Sequence, residues 1–146
     1  GMSMGGTAVA ISSDQISSKK VKGIIIDCAY FSMAELTKSV KTLQKIPTPL
    51  FIGWMYLITK IFFKVDLKNL ESASHISNSD LPFFFIQGRE DKVVLPEVLI
   101  NNYNACSSYK EMMIIEGAEH TLAMVAGREE TFNRLFKFME GCSVNE

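Results

Sequence analysis

Cysteine is scarce in this chain of 146 residues. Cys28, Cys106 and Cys142 are the only three, an odd number, widely spaced and without a CxxC pair. That argues against a disulfide framework and a thiolate zinc site, and it suits a reducing compartment such as the cytoplasm. Neither sign of charge is in excess: 15 basic residues stand against 16 acidic ones. A nucleic-acid partner calls for a clear Lys/Arg surplus, so none is expected. No apolar run is long enough for a comfortable membrane span. The most apolar stretch, PLFIGWMYLITKIFF (49–63), carries Lys60 and reads as a buried or cap helix instead. The N-terminal GMSMGGTAVAISSDQ has no basic residues ahead of its small apolar stretch, so it is not a signal peptide. Gly1 directly before Met2 matches a residue left by tag removal, with Met2 as the encoded start. A glycine-rich phosphate loop after a strand is also missing. The only Gly-Gly pair, Gly5-Gly6, follows Ser3 at the terminus, which counts against a phosphate-binding flavodoxin-like domain. Nothing points to a cofactor or a metal, and there is no internal repeat.

What is present is the mix of a folded domain. Hydrophobic residues make up 47% and charged residues 21%, which excludes a disordered chain, a collagen and a coiled coil. The length suits one domain. Three segments read as buried strands: VKGIIID (21–27), LPFFFIQG (81–88) and EMMIIEG (111–117). Continuous apolar strands without alternation belong to parallel sheets covered on both faces. Helical patterns lie between them, over 4–16, 33–44, 50–63, 96–105 and 129–140. In the last, Phe132, Leu135, Phe136 and Met139 share a face; in the fourth, Pro96 suits a first helical turn. SASHISNSD (72–80) reads as a loop. The alternation predicts an α/β fold with about three parallel strands, flanking helices and a helical insertion over 33–80.

Three polar features follow in order, each where a strand's carboxyl end is expected. They are Gly1-Met2-Ser3-Met4-Gly5, a G-x-S-x-G match; Gly88-Arg89-Glu90-Asp91; and Gly117-Ala118-Glu119-His120. Ligand crevices of open α/β sheets lie along that edge. A nucleophilic serine has to stand on a sharp turn, and small neighbours let strand and helix approach. The amide that follows, here Met4, then points into the site as an oxyanion donor. A serine hydroxyl needs a base; His120 can serve, and Asp91 can hold the imidazole in the right tautomer.

With these residues the chain resembles the C-terminal part of an α/β-hydrolase-fold serine hydrolase. It is similar more narrowly to bacterial serine aminopeptidase-like or lysophospholipase-like hydrolases. The resemblance rests on GMSMGG (1–6), VKGIIIDCAYFS (21–32), LPFFFIQGREDKVV (81–94) and IIEGAEH (114–120). GxSxG alone is weak; the joint order Ser…Asp…His, each after a strand, is strong. The resemblance implies Ser3 as nucleophile, Asp91 as acid, His120 as base and a small acyl-ester or peptide-like substrate. It implies a three-layer, partial α/β-hydrolase fold with 33–80 as a cap. Leu95, between Val94 and Pro96, is a small departure from the family pattern. A larger one is that the family's strand into the serine turn, and the loop with a second oxyanion amide, have no counterpart in the sequence. The length then reads as the second half of a larger domain.

Simpler readings stand beside these. Asp91 suits a turn. Asp27, ending the first strand, is the rival acid, though it also suits a loop or cap. His75 reads as solvated, Cys28 as a small buried residue, and Glu129 and Glu130 as a solvated helix start. A serine turn without its strand should relax, so a poor or inactive hydrolase is expected. The bare edge of VKGIIID should pair with another copy, giving a homo-oligomer. The competing class is a non-catalytic α/β module that acts by self-association or partner binding.

Overall fold

The computed structural model describes residues 1–16, 20–32, 35, 48–66 and 70–143. In chain order the elements are α1 (Met4–Ser12), β1 (Ile24–Asp27), α2 (Thr48–Phe62), α3 (Ser72–Ser77), β2 (Phe83–Gly88), α4 (Pro96–Ala105), β3 (Lys110–Ile115) and α5 (Ala123–Ser143). The helix expected over 33–44 lies outside the described residues, apart from Glu35.

The three strands form a parallel sheet in the order β1-β2-β3. Ile24 sits opposite Phe83, and Phe83 opposite Lys110. β2 is the central strand and is buried at all six positions, as its unbroken apolar run requires. Its side chains alternate between two cores. Phe83 and Phe85 join Ala10, Ile24, Ile76 and Leu99 on one face. Phe84 and Ile86 join Met113, Leu135 and Phe138 on the other. Helices α1, α3 and α4 therefore cover one face of the sheet and α5 the other, making three layers. The Phe84 and Phe138 rings meet edge to face at 5.4 Å, tying α5 to the central strand.

Three expectations need correction. The segment 72–80 is not all loop, because 72–77 is a helix. Ser72 and Ile76, four residues apart, are both fully buried, and packing against α1 and α4 overrides a polar sequence. The apolar face assigned to 129–140 is also wrong. Phe132, Phe136 and Met139 are exposed, while Thr131, Leu135, Phe138 and Cys142 face the sheet. α5 is broken at Arg128 (φ 41°, ψ −126°), and the helix beyond the break meets the sheet through its 131/135/138/142 stripe, one that shares only Leu135 with the expected face. Glu129 and Glu130 are exposed just beyond that break.

The third concerns the serine turn. Residues 1–3 form a short extended piece alongside β1. Met2 bridges Asp27 in parallel, Ser3 N donates to Asp27 O (2.8 Å), Asp27 N to Gly1 O (2.9 Å) and the Gly1 amine to Ile25 O (2.8 Å). The turn is thus held by pairing with β1, and part of the outer edge of β1 is occupied.

The chain between β1 and α3 leaves and returns at one neck. Ser32 bridges Glu71 antiparallel, Ser72 N donates to Phe31 O (2.9 Å), and Glu35 caps the neck by accepting from Phe31 N (3.1 Å).

Candidate functional site

Three chain segments meet at the carboxyl end of the sheet. The first is the turn between residues 1–3 and α1. Ser3 takes φ 51° and ψ −124°, a conformation L-residues avoid. Gly6 lets α1 come close to the end of β1: a Cβ there would lie a tight 3.0 Å from Ala29 Cβ and 3.3 Å from Asp27 O. The Met4 amide opens α1 and so belongs to the first-turn N–H groups that have no intrahelical acceptor.

The second segment follows β2. The Asp91 side chain has no exposed surface. Its Oδ1 accepts from the amides of Val93 and Val94, both at 2.9 Å. Gln87 Nε2 donates to its Oδ2 at 3.4 Å and also to the Val94 carbonyl.

The third segment follows β3. It turns at Gly117 (φ 71°) and presents His120. Backbone bonds weld it to the second segment: Arg89 N donates to Ile115 O (2.8 Å) and Glu90 N to Ala118 O (2.9 Å). Gly88 permits this contact, because a Cβ there would overlap the Ala118 carbonyl.

The three segments bring Ser3, His120 and Asp91 into one line. His120 Nδ1 lies 2.7 Å from Asp91 Oδ2, and His120 Nε2 lies 3.0 Å from Ser3 Oγ. A carboxylate only accepts, so Nδ1 carries the proton and Nε2 is left to accept from the Ser3 hydroxyl. Such a line can draw a proton from a hydroxyl while keeping the resulting imidazolium beside a buried carboxylate.

Asp27 stands apart from this line. It is buried and its Oδ1 has no hydrogen-bond partner, while His120 turns to Asp91. Burial, foremost, pushes the Asp27 carboxyl above its ordinary value; a hydrogen bond with Cys28 and the nearby His120 pull the other way. Cys28 is buried at φ 44° with its thiol pushed up to about 12 by burial and by Asp27. It is a protonated neighbour of the site, as its reading as a small buried residue requires. Cys28, Asp91 and His120 are also the one described group whose donor atoms cluster within 4.8 Å. The Asp91–His120 pair, at 2.7 Å, is a hydrogen bond, closer than the roughly 3.3 Å between two tetrahedral zinc ligands. His75 is not free in solvent: its Nδ1 pairs with Asp14 at 2.9 Å, away from the site.

Sequence reasoning passed over three residues. Gln87 was visible as a polar residue inside an apolar strand, a pattern that calls for a buried partner. Thr7 ties the turn to the loop after β1: its hydroxyl reaches Ser3 O (3.3 Å) and accepts from Tyr30 N (2.9 Å). Tyr30 is buried beside Ser3. Burial raises its phenol, the charges of Asp91 and Cys28 add to that, and a hydrogen bond with the Ser3 side chain opposes it. No spacing signal marks Thr7 or Tyr30. Left-handed backbone concentrates here too, since Ser3, Cys28 and Thr121 account for three of the five non-glycine residues with positive φ among the described residues.

No protein-family model and no curated protein matches the sequence. Solved structures do match. An esterase from Pyrococcus furiosus superposes with a TM-score of 0.69 at 20% identity, over 96% of this chain and 52% of its own. The protein DcsB, solved with a substrate analogue, gives 0.69 at 16%, over 99% and 63%. A monoacylglycerol lipase from Paleococcus ferrophilus gives 0.63 at 15%, over 96% and 66%. The chain thus spans between half and two-thirds of the length of these proteins. It has the α/β-hydrolase fold, in part.

Proposed function

We propose that this chain carries the acyl-transfer site of a serine hydrolase acting on carboxylic esters. The observation that carries the reading is the unbroken line from Ser3 Oγ through His120 to the buried Asp91, with steps of 3.0 and 2.7 Å. In this reading Ser3 Oγ attacks the substrate carbonyl carbon as its proton passes to His120 Nε2. Asp91 stabilises the imidazolium, and the Met4 amide donates to the oxyanion. The tetrahedral intermediate collapses, the alkoxide leaves with the proton from Nε2, and water repeats the sequence to free Ser3. Esters are preferred as substrates because the named neighbours include an esterase and a lipase.

The pairing of residues 1–3 with β1 supports a preformed nucleophile, in place of the relaxed turn expected from sequence. A fluorophosphonate probe tests this. The native chain is expected to label at Ser3 and Ser3→Ala to stay unlabelled. Labelling that is absent, or that survives Ser3→Ala, overturns the proposal. Ester turnover is a separate quantity. p-Nitrophenyl acyl esters measure it, and their turnover is expected to fall to background in Ser3→Ala.

A further inference from the structure

Helix α2 carries its apolar face on the outside. Trp54, Leu57, Ile58 and Ile61 follow at i, i+3, i+4 and i+7, one stripe of a helix, and all four are exposed. The stripe runs on into Phe62 and Phe63, each more than 70% exposed. Met55, Tyr56 and Thr59 are half-buried, and the Thr59 hydroxyl turns back onto the carbonyls of Met55 and Tyr56. A helix folded against its own domain has the opposite polarity.

Charge says what such a face fits. Between positions 33 and 66 the sequence holds five lysines against two carboxylates, Glu35 and Asp66. The rest of the chain has ten basic residues against fourteen acidic ones. The apolar stripe thus belongs to the basic part of an otherwise acidic chain. A second copy would bring the same basic segment against itself, since a two-fold contact is self-complementary. An anionic lipid surface opposes it with the right sign. An exposed Trp and Phe set beside Lys64 and beside Lys60, whose exposed ammonium also meets Asp66 at 3.0 Å, is also the pattern of helices lying at a bilayer interface. No helix among the described residues is long and apolar enough to cross a membrane.

We propose that α2 docks this protein on the surface of an anionic phospholipid bilayer, the Trp54–Ile61 stripe entering the acyl boundary and Lys60 and Lys64 meeting the headgroups. The contact needs no hydrolase chemistry, so Ser3→Ala should bind as the native chain does.

Trp54 is the only tryptophan, so its fluorescence reports on α2 alone. With vesicles of phosphatidylcholine and phosphatidylglycerol, its emission is expected to shift to the blue and the protein to co-sediment. Brominated phosphatidylcholine in the same vesicles should quench it. Pure phosphatidylcholine vesicles, or high salt, should weaken partitioning about tenfold or more. The double variant Ile61→Asp/Phe62→Asp should lose it by a similar factor, and Phe136→Asp on α5 should not. The proposal is overturned if the native chain stays in the supernatant with unshifted, unquenched emission. Equal binding by the double variant also overturns it. So does a blue shift that follows protein concentration without lipid, which would give the face to a second copy.

Discussion

Two buried carboxyls, Asp27 and Asp91, end neighbouring segments of the site, and their surroundings assign them opposite behaviour. Asp91 accepts from two amides, from Gln87 and from His120, so its charge is satisfied. Asp91→Asn should leave the fold intact but offer His120 the wrong partner, lowering the phosphonate labelling rate by up to about 10⁴. Asp27→Asn should change that rate less than tenfold. Asp27 instead bears on stability. Burial raises its carboxyl above the ordinary value of 3.8 in the folded state. Below that value it is protonated in both folded and unfolded chains and costs nothing. As pH rises from 3.8 toward the raised folded value, the unfolded chain ionises first and the cost builds, and above the folded value it stays in place at neutral pH. Asp27→Asn is therefore expected to raise the urea midpoint at pH 7, with the gain fading as pH falls toward 4. A gain that persists or grows at low pH would refute this account. The sequence made both carboxyls legible as candidates, since Asp27 ends one strand pattern and Asp91 closely follows another. It left the choice open, because the imidazole that decides it arrives from a loop 29 residues beyond Asp91.

At the scale of elements, legibility followed burial on two sides. β2, closed off on both faces, reads from its unbroken apolar run, and α4 begins at the proline that suits its first turn. α5 was legible as a helix but not in its buried face, because Phe132, Phe136 and Met139 make a stripe at least as apolar as the one, Thr131, Leu135, Phe138 and Cys142, that meets the sheet. Alanine substitutions separate the two faces. Phe138→Ala should cost about 3 to 5 kcal/mol by urea unfolding, since it removes a ring packed on Phe84. Phe136→Ala, on the exposed face, should fall within about 0.5 kcal/mol. Equal costs would mean the phase is wrong. Gly88 tests the weld between the loops after β2 and β3. A methyl group there meets the Ala118 carbonyl, so Gly88→Ala should cost about 1 to 3 kcal/mol. It should also slow phosphonate labelling by moving His120 from Asp91.

For the whole molecule, apolar surface is distributed unevenly. The residues of the core clusters are buried, yet α5 leaves Phe132, Phe136 and Met139 exposed. Beside them a groove of about 360 Å³ lies between α5 and the start of β1, lined by Gly23, Ile25 and Phe138. Residues 1–3 occupy the carboxyl half of the same edge, so what stays open is short. Self-association through this face is still expected, and light scattering should give a mass above the 16.3 kDa of one chain. A monomer at working concentration would count against it.

Sequence alone determined the fold class and the identity of the polar residues at the sheet's edge. Both follow from local facts: the length of apolar runs, and which residues directly follow them. Tertiary structure decided what those residues are to one another. It placed Ser3 on a turn braced by β1, joined the two loops that align Asp91 with His120, and left Asp27 without a ring to hold. It also turned the apolar stripe of α2 outward. Periodicity reports that a face is apolar, and only the packing of the remaining chain settles whether that face meets protein or solvent.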